Sequence, residues 1–239
     1  MMIESLGPGL VAVVALLIGG ALIGWMQRDN FEPRWLLISA ALMVLNDLLL
    51  ARGGGLLPRL LQTESNWEGV VLALCGSVVV ASLPAFGWRA CGLTLSQDHA
   101  GFRAAMPIFV LAGAAMTGLA LLTPTPAVSG ETIAFQATLP GLEQEVFYRG
   151  VLLYALERAF GFRWRLFGVD LGWGHVLSCV LFGLAHAVSF TGWRPGFDAI
   201  AMVMAAASGA VAVWVRLRTG SVLLPAIMHD FGETIPLLL

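Results

Sequence analysis

An all-α, polytopic membrane bundle of about eight transmembrane helices is the fold this sequence predicts, and three observations predict it. Of the 239 residues, 58% are hydrophobic and only 12% charged, too little polar surface to wet the exterior of a water-soluble domain. The mean hydropathy is +0.84. The apolar residues gather into eight runs, each near the ~20 residues that cross a hydrocarbon core. A net charge of −2 with no basic patch excludes nucleic acid as a partner. Cys75, Cys91 and Cys179 are scattered, two of them within apolar runs, so neither a disulfide framework nor a cysteine metal site is expected. With no internal repeat, low-complexity tract or soluble domain at either end, residues 1–239 read as one membrane domain.

The runs cover roughly 7–26, 35–51, 67–87, 105–123, 132–156, 174–191, 197–215 and 220–238. The first follows Met-Met-Ile-Glu-Ser-Leu, which lacks a basic leader region, so it is expected to remain as a membrane helix. The second carries Asn46 and Asp47, which either line a cavity or pair across helices. Between the third and fourth, Arg89 to Arg103 is a short amphipathic stretch suited to the interface. Pro124 to Pro126 is read as a turn. The eight Trp fall mostly near run ends, as an aromatic belt does.

Orientation follows from the arginines, which number thirteen with no lysine. Connections after odd-numbered runs carry nine of them: Arg28, Arg34, Arg89, Arg103, Arg158, Arg163, Arg165, Arg216 and Arg218. Those after even-numbered runs carry three, Arg52, Arg59 and Arg194. Positive charge stays in the cytoplasm, so both termini are expected outside.

Three runs carry polar groups at mid-depth, where each ionisable side chain costs ~2.5–3.5 kcal/mol on insertion scales. The fifth has Gln144, Glu145 and Arg149; the sixth has His186; the eighth has His229, Asp230 and Glu233. Glu145 and Arg149 are four apart and share a helical face, as do His229 and Glu233. Glu143 points nearly opposite Glu145 and is left out of the set. His99 and His175 lie near the membrane surfaces and read as bystanders. One cavity at mid-membrane depth holding two imidazoles, two carboxylates, an amide and a guanidinium can deprotonate a water, alone or through a divalent metal. If zinc is present, its ligands would be His186, His229, and Glu145 or Glu233. The plainer reading is a buried ion pair fixing one helix and an interhelical hydrogen bond from a lone histidine.

Glu145-x-x-x-Arg-Gly, Phe182-x-x-x-His186 and His229-x-x-x-Glu233, in order and in separate runs, resemble the CAAX-protease and bacteriocin-processing family of intramembrane endopeptidases. The stretch Gly209 to Pro225, with Arg216-Leu-Arg-Thr-Gly-Ser221, also resembles that family's lead-in to its last motif. The likeness covers the chain from about residue 131 to 239. The usual signature is Glu-Glu-x-x-x-Arg, Phe-x-x-x-His and His-x-x-x-Asn or Asp. The resemblance implies that Glu145, Arg149, His186, His229 and Glu233, with Gln144, form the catalytic set of a protease acting on a membrane-anchored protein or peptide.

Two positions depart from the signature. Gln144 stands where the family has the glutamate assigned to activating water, and a carboxamide cannot accept that proton. Glu233 stands at the Asn or Asp position, so the carboxylate and the amide have exchanged helices. The leading function is therefore an endopeptidase cleaving a leader or sorting segment in a bacterial cytoplasmic membrane. The alternative is an inactive relative serving as an immunity factor, scaffold or membrane chaperone. A proton-coupled transporter would also use intramembrane Glu, His and Arg, but the repeat symmetry and paired broken helices of such proteins are absent.

Overall fold

The computed structural model describes residues 2–52, 55, 58, 63–123 and 125–239. Helix α1 (Met2–Met26) leads through a 3-10 turn (Arg28–Asn30) to α2 (Pro33–Leu50), and α3 is Trp67–Ser82. Next come α4 (His99–Leu122), α5 (Gly130–Gln136) and α6 (Pro140–Glu145). A π-helical segment (Val146–Leu152) runs straight on into α7 (Leu153–Ala159). Strands β1 (Arg163–Leu166) and β2 (Val169–Gly172) precede α8 (Trp173–Ala187). Strands β3 (Val188–Thr191) and β4 (Arg194–Phe197) precede α9 (Ala199–Thr219) and α10 (Leu223–Leu238).

Sequence chemistry sets the helix ends. Pro33 and Pro140 open α2 and α6 at the first turn, where a missing N–H costs nothing. The side chains of Asp98, Ser129 and Asp198 accept backbone N–H groups in the first turns of α4, α5 and α9. Gly220, at φ 74°, closes α9 in the left-handed conformation.

The fold is mostly helical, as expected. Among the described residues, four helices are long and apolar enough to span a membrane: Leu6–Met26, Pro33–Leu50, His99–Leu122 and Ala199–Thr219. Trp67–Ser82 and Trp173–Ala187 are shorter apolar helices. The expected fifth run is interrupted at 137–139, between α5 and α6, where Pro140 restarts the helix. The Arg89 to Arg103 stretch is not one amphipathic element; it is turns until α4 begins at His99. Pro124, in the expected turn, and Arg59 lie outside the described residues.

Two antiparallel hairpins interrupt the helices. The β1–β2 turn, Phe167-Gly168, has positive φ at both positions (49° and 74°), the combination that matches strand twist in a two-residue loop. The β3–β4 turn places Gly192 first, at φ 61°.

Long-range bonds sort the connections into two ends. At one end Glu32 N–H donates to Ala159 O, Arg216 to Ala90 O, Asp98 N–H to Thr219 O, and Trp214 to Phe167 O. These are the arginine-rich connections. At the other end Gly192 N–H donates to Glu4, Ser65 to Glu131, and Thr125 to Pro236 O. A large apolar cluster includes Leu16, Trp35, Met43, Leu152, Leu156, Leu181, Phe182 and Ala205. Ala105, Val215, Leu224 and Met228 make a smaller one. A cavity of about 460 Å³ lies between the two, sharing Phe182 and Ala205 with the first and Met228 with the second.

Candidate functional site

The site is built on the α6–π–α7 helix. All seven residues of the π segment are buried, and widened turns of this kind recur at functional sites. Ser178 on α8 donates its hydroxyl to the Tyr148 carbonyl at 3.0 Å, supplying a partner to the backbone within the widened turn. At the start of α6, Gly141 N–H is one of the donors a helix leaves unpaired. Asp230 of α10 accepts it at 2.9 Å, which brings α10 hard against α6. A Cβ at Gly141 would lie 2.7 Å from the Asp230 backbone nitrogen and 2.9 Å from His229 Cβ. Only glycine permits this approach.

That approach brings the two ends of the motif together. Glu145 Oε1 lies 2.9 Å from His229 Nδ1, and His229 Nε2 lies 3.3 Å from Glu233 Oε1. Carboxylates only accept, so one proton beyond the neutral imidazole must be shared along Glu145–His229–Glu233 for both contacts to be hydrogen bonds. Glu145 Oε2 lies 3.2 Å from Arg149 Nε. Neither atom makes an aligned hydrogen bond, so this contact is a charge pair. Glu145 and Arg149 are each 1% exposed, and a charge this deep needs its partner. The Arg149 guanidinium also sits 3.9 Å over the Phe182 ring, a cation–π contact. Gly209 of α9 faces it, where a Cβ would come 2.9 Å from Arg149 Nη2.

His186 comes from the next helix. Its Nδ1 is 2.9 Å from the Phe182 carbonyl, which only accepts, so Nδ1 carries the hydrogen and Nε2 keeps a lone pair. Phe182 stacks between the histidines, 4.4 Å from His186 and 5.7 Å from His229 by ring centroids. Glu145, Arg149, His186, His229 and Glu233 all line the one cavity. Its other walls are small or flexible apolar residues, among them Ala112, Met116, Ala201, Met204 and Gly232. Buried acids, imidazoles with defined donors, and a space beside them are the parts needed to hold and deprotonate a water.

Gln144 is the expected site residue that does not line the cavity. It is half-buried, one helical step round from Glu145. Three groups passed over in the sequence matter here. Glu143 is 1% exposed and hydrogen-bonded to Asn46 of α2, and Asp47 lies within its electrostatic reach. Asp230 holds the start of α6. Spacing alone could not find Glu143, because a side chain facing away from Glu145 still faces protein when helices pack on both sides. His175 is not a surface bystander: it is 2% exposed, accepts Gly172 N–H at Nδ1, and its Nε2 lies 3.1 Å from Glu157 Oε1.

The donors were tested for a metal. Among the described residues, no group of three or more His, Cys, Asp or Glu is arranged to hold one. Both nitrogens of His229 already face carboxylates, which leaves neither lone pair for coordination. The residues as placed do not fit a zinc site.

Residues 131–233 match the sequence model of the Rce1-like family, described as type II CAAX prenyl endopeptidase. That is a protease family, and it lies within the family that the motifs resemble. No curated protein and no solved structure matches the chain.

Proposed function

From the match of residues 131–233 to a prenyl-endopeptidase family, we propose that this chain is an intramembrane endopeptidase that cleaves a membrane-anchored peptide or protein. One observation carries the reading: the unbroken line Arg149–Glu145–His229–Glu233, beside the free nitrogen of His186, on the wall of one cavity. Arg149 neutralises Glu145, and Glu145 fixes the His229 ring. His229 donates toward the scissile carbonyl oxygen and stabilises its developing charge. A water held by His186 Nε2 and Glu233 gives its proton to Glu233 as its oxygen attacks the carbonyl carbon. Glu233 then returns that proton to the leaving amine as the C–N bond breaks. The chemistry is proposed to run without a metal, so a chelator should leave turnover unchanged. The arginine-rich end is proposed to face the cytoplasm, with both termini outside, in a bacterial cytoplasmic membrane.

The test is cleavage of lipid-modified and transmembrane-anchored peptides by the purified protein in detergent. Glu233→Gln should lower turnover at least ~100-fold, the low end for loss of a general base. A Glu233→Gln variant with parental turnover would remove Glu233 as the base. The second reading, an inactive relative acting as a scaffold, immunity factor or chaperone, rests on Gln144. It requires that the parent cleave nothing and that Gln144→Glu switch cleavage on. Because Gln144 lies off the cavity, the endopeptidase reading expects Gln144→Glu to change turnover by less than threefold.

A further inference from the structure

Behind His229, on the side of α6 away from the cavity, is a second acidic group that the mechanism above does not use. Glu143 is 1% exposed, and its Oε1 has no hydrogen-bond partner among the described residues. Its carboxyl bonds Asn46 and feels the charges of Asp47 and His229. Asp47 is half-buried, and its carboxylate packs so closely on Gly9 of α1 that a Cβ there would overlap it.

The surroundings give this pair of acids little positive charge. On α2 the facing groups are Asn46 and Asp47. On the π segment they are Tyr148 and Arg149, and Arg149 is already paired with Glu145. On α10 they are His229 and, beside it, Asp230. From α3 and α5, Cys75 is exposed and Glu131 is bound to Trp67 and Ser65. Two carboxylates in one low-dielectric region do not both ionise. We propose that Glu143 and Asp47 share a single negative charge, and that Glu143 is a positioning residue whose share of it holds His229 as a double donor between Glu145 and Glu233. Its link to catalysis rests on the endopeptidase reading; the sharing itself does not.

The arrangement makes two isosteric substitutions act in opposite directions. Glu143→Gln sends the charge to Asp47, farther from His229, and the imidazole loses its second proton more easily. Asp47→Asn fixes the charge on Glu143 and holds that proton more firmly. A group with only a packing role cannot give opposite signs.

The experiment uses the full chain in detergent with ¹⁵N-labelled histidine, His229 being assigned by its absence in His229→Ala. At one pH where both forms of the ring are seen, Glu143→Gln should lower the doubly protonated fraction and Asp47→Asn should raise it. In cleavage assays at that pH, Glu143→Gln should cut kcat by about threefold to tenfold with KM unchanged, tenfold being one unit of proton affinity. Asp47→Asn should not cut kcat. Shifts of the His229 signal in the same direction, or none in either variant, would overturn the proposal. If Glu143→Gln does not fold, an unmoved signal in Asp47→Asn overturns it alone. Opposite shifts in a protein that cleaves nothing would uphold the shared charge and reject the endopeptidase reading.

Discussion

Replacing Gly141 by alanine tests whether the α6–α10 approach makes the site. A methyl there would sit 2.5 Å from Asp230 Oδ1, 2.7 Å from Asp230 N and 2.9 Å from His229 Cβ. The Asp230 carboxylate can swing aside, but the backbone nitrogen moves only with its helix. Restoring ordinary contact, near 3.4 Å, backs α10 off by about 0.7 Å. If His229 follows, its 2.9 Å contact with Glu145 opens to about 3.6 Å, beyond hydrogen-bond length. Loss of a bond to a charged group costs ~1.5–3 kcal/mol. Misplacement of this order costs up to ~100-fold in turnover. Helix propensity alone predicts the opposite sign for stability, a gain of up to ~1 kcal/mol. The assay pairs peptide cleavage with thermal unfolding in detergent. Gly232→Ala on α10 is the control, because its methyl meets only the flexible end of Met116. A Gly141→Ala protein as active and as stable as that control would refute the reasoning.

Three further outcomes follow from buried pairings. Arg149→Met leaves Glu145 buried without its cation and should cost ~3–5 kcal/mol, read as a large fall in Tm. Ser178→Ala removes the hydroxyl partner of the Tyr148 carbonyl and should cost ~1–3 kcal/mol, seen in chemical denaturation. At the arginine-rich end, just past the span, burial works against the Glu157 carboxylate. The His175 hydrogen bond and the charges of His175 and Arg163 outweigh it and hold Glu157 below its usual range. That contribution is complete above the ordinary carboxylate pKa and is lost as pH falls through the depressed value. Tm should therefore drop at acid pH more steeply in the parent than in Glu157→Gln.

Much of this was legible in sequence because burial in lipid leaves so few polar residues to interpret. Glu145, Arg149, His186, His229 and Glu233 stood out by depth and spacing, and all five line one cavity. The arginine count sorted the connections into two groups, and the bonds between connections gather them at two ends. The hairpins were missed because both lie at run ends, where Phe167-Gly168 and Gly192-Trp193 lack the usual Asn-Gly signal. The break between α5 and α6 was hidden by continuous hydropathy, which does not register a turn at 137–139. Glu143 and His175 were set aside by position along a helix, which says nothing of the neighbouring helix. The Gly141 approach had no signal in a single sequence, since one glycine among 28 looks like any other.

The π segment has a consequence for the length of the chain. Over Val146–Leu152 the backbone carries more residues than an α-helix of equal rise, so the two halves of this helix are out of rotational step. Upstream, Glu145 must aim at α10; downstream, Leu152 and Leu156 must aim at the large core. Deleting one residue between 146 and 152 would let the backbone relax to ordinary α-helix, yet it would turn one half against the other by about 100°. Either the leucines would leave the core or the acid would leave its histidine. A one-residue deletion here should be far more damaging than most substitutions in the same segment. The surplus residue is what lets one rod serve two differently aimed faces.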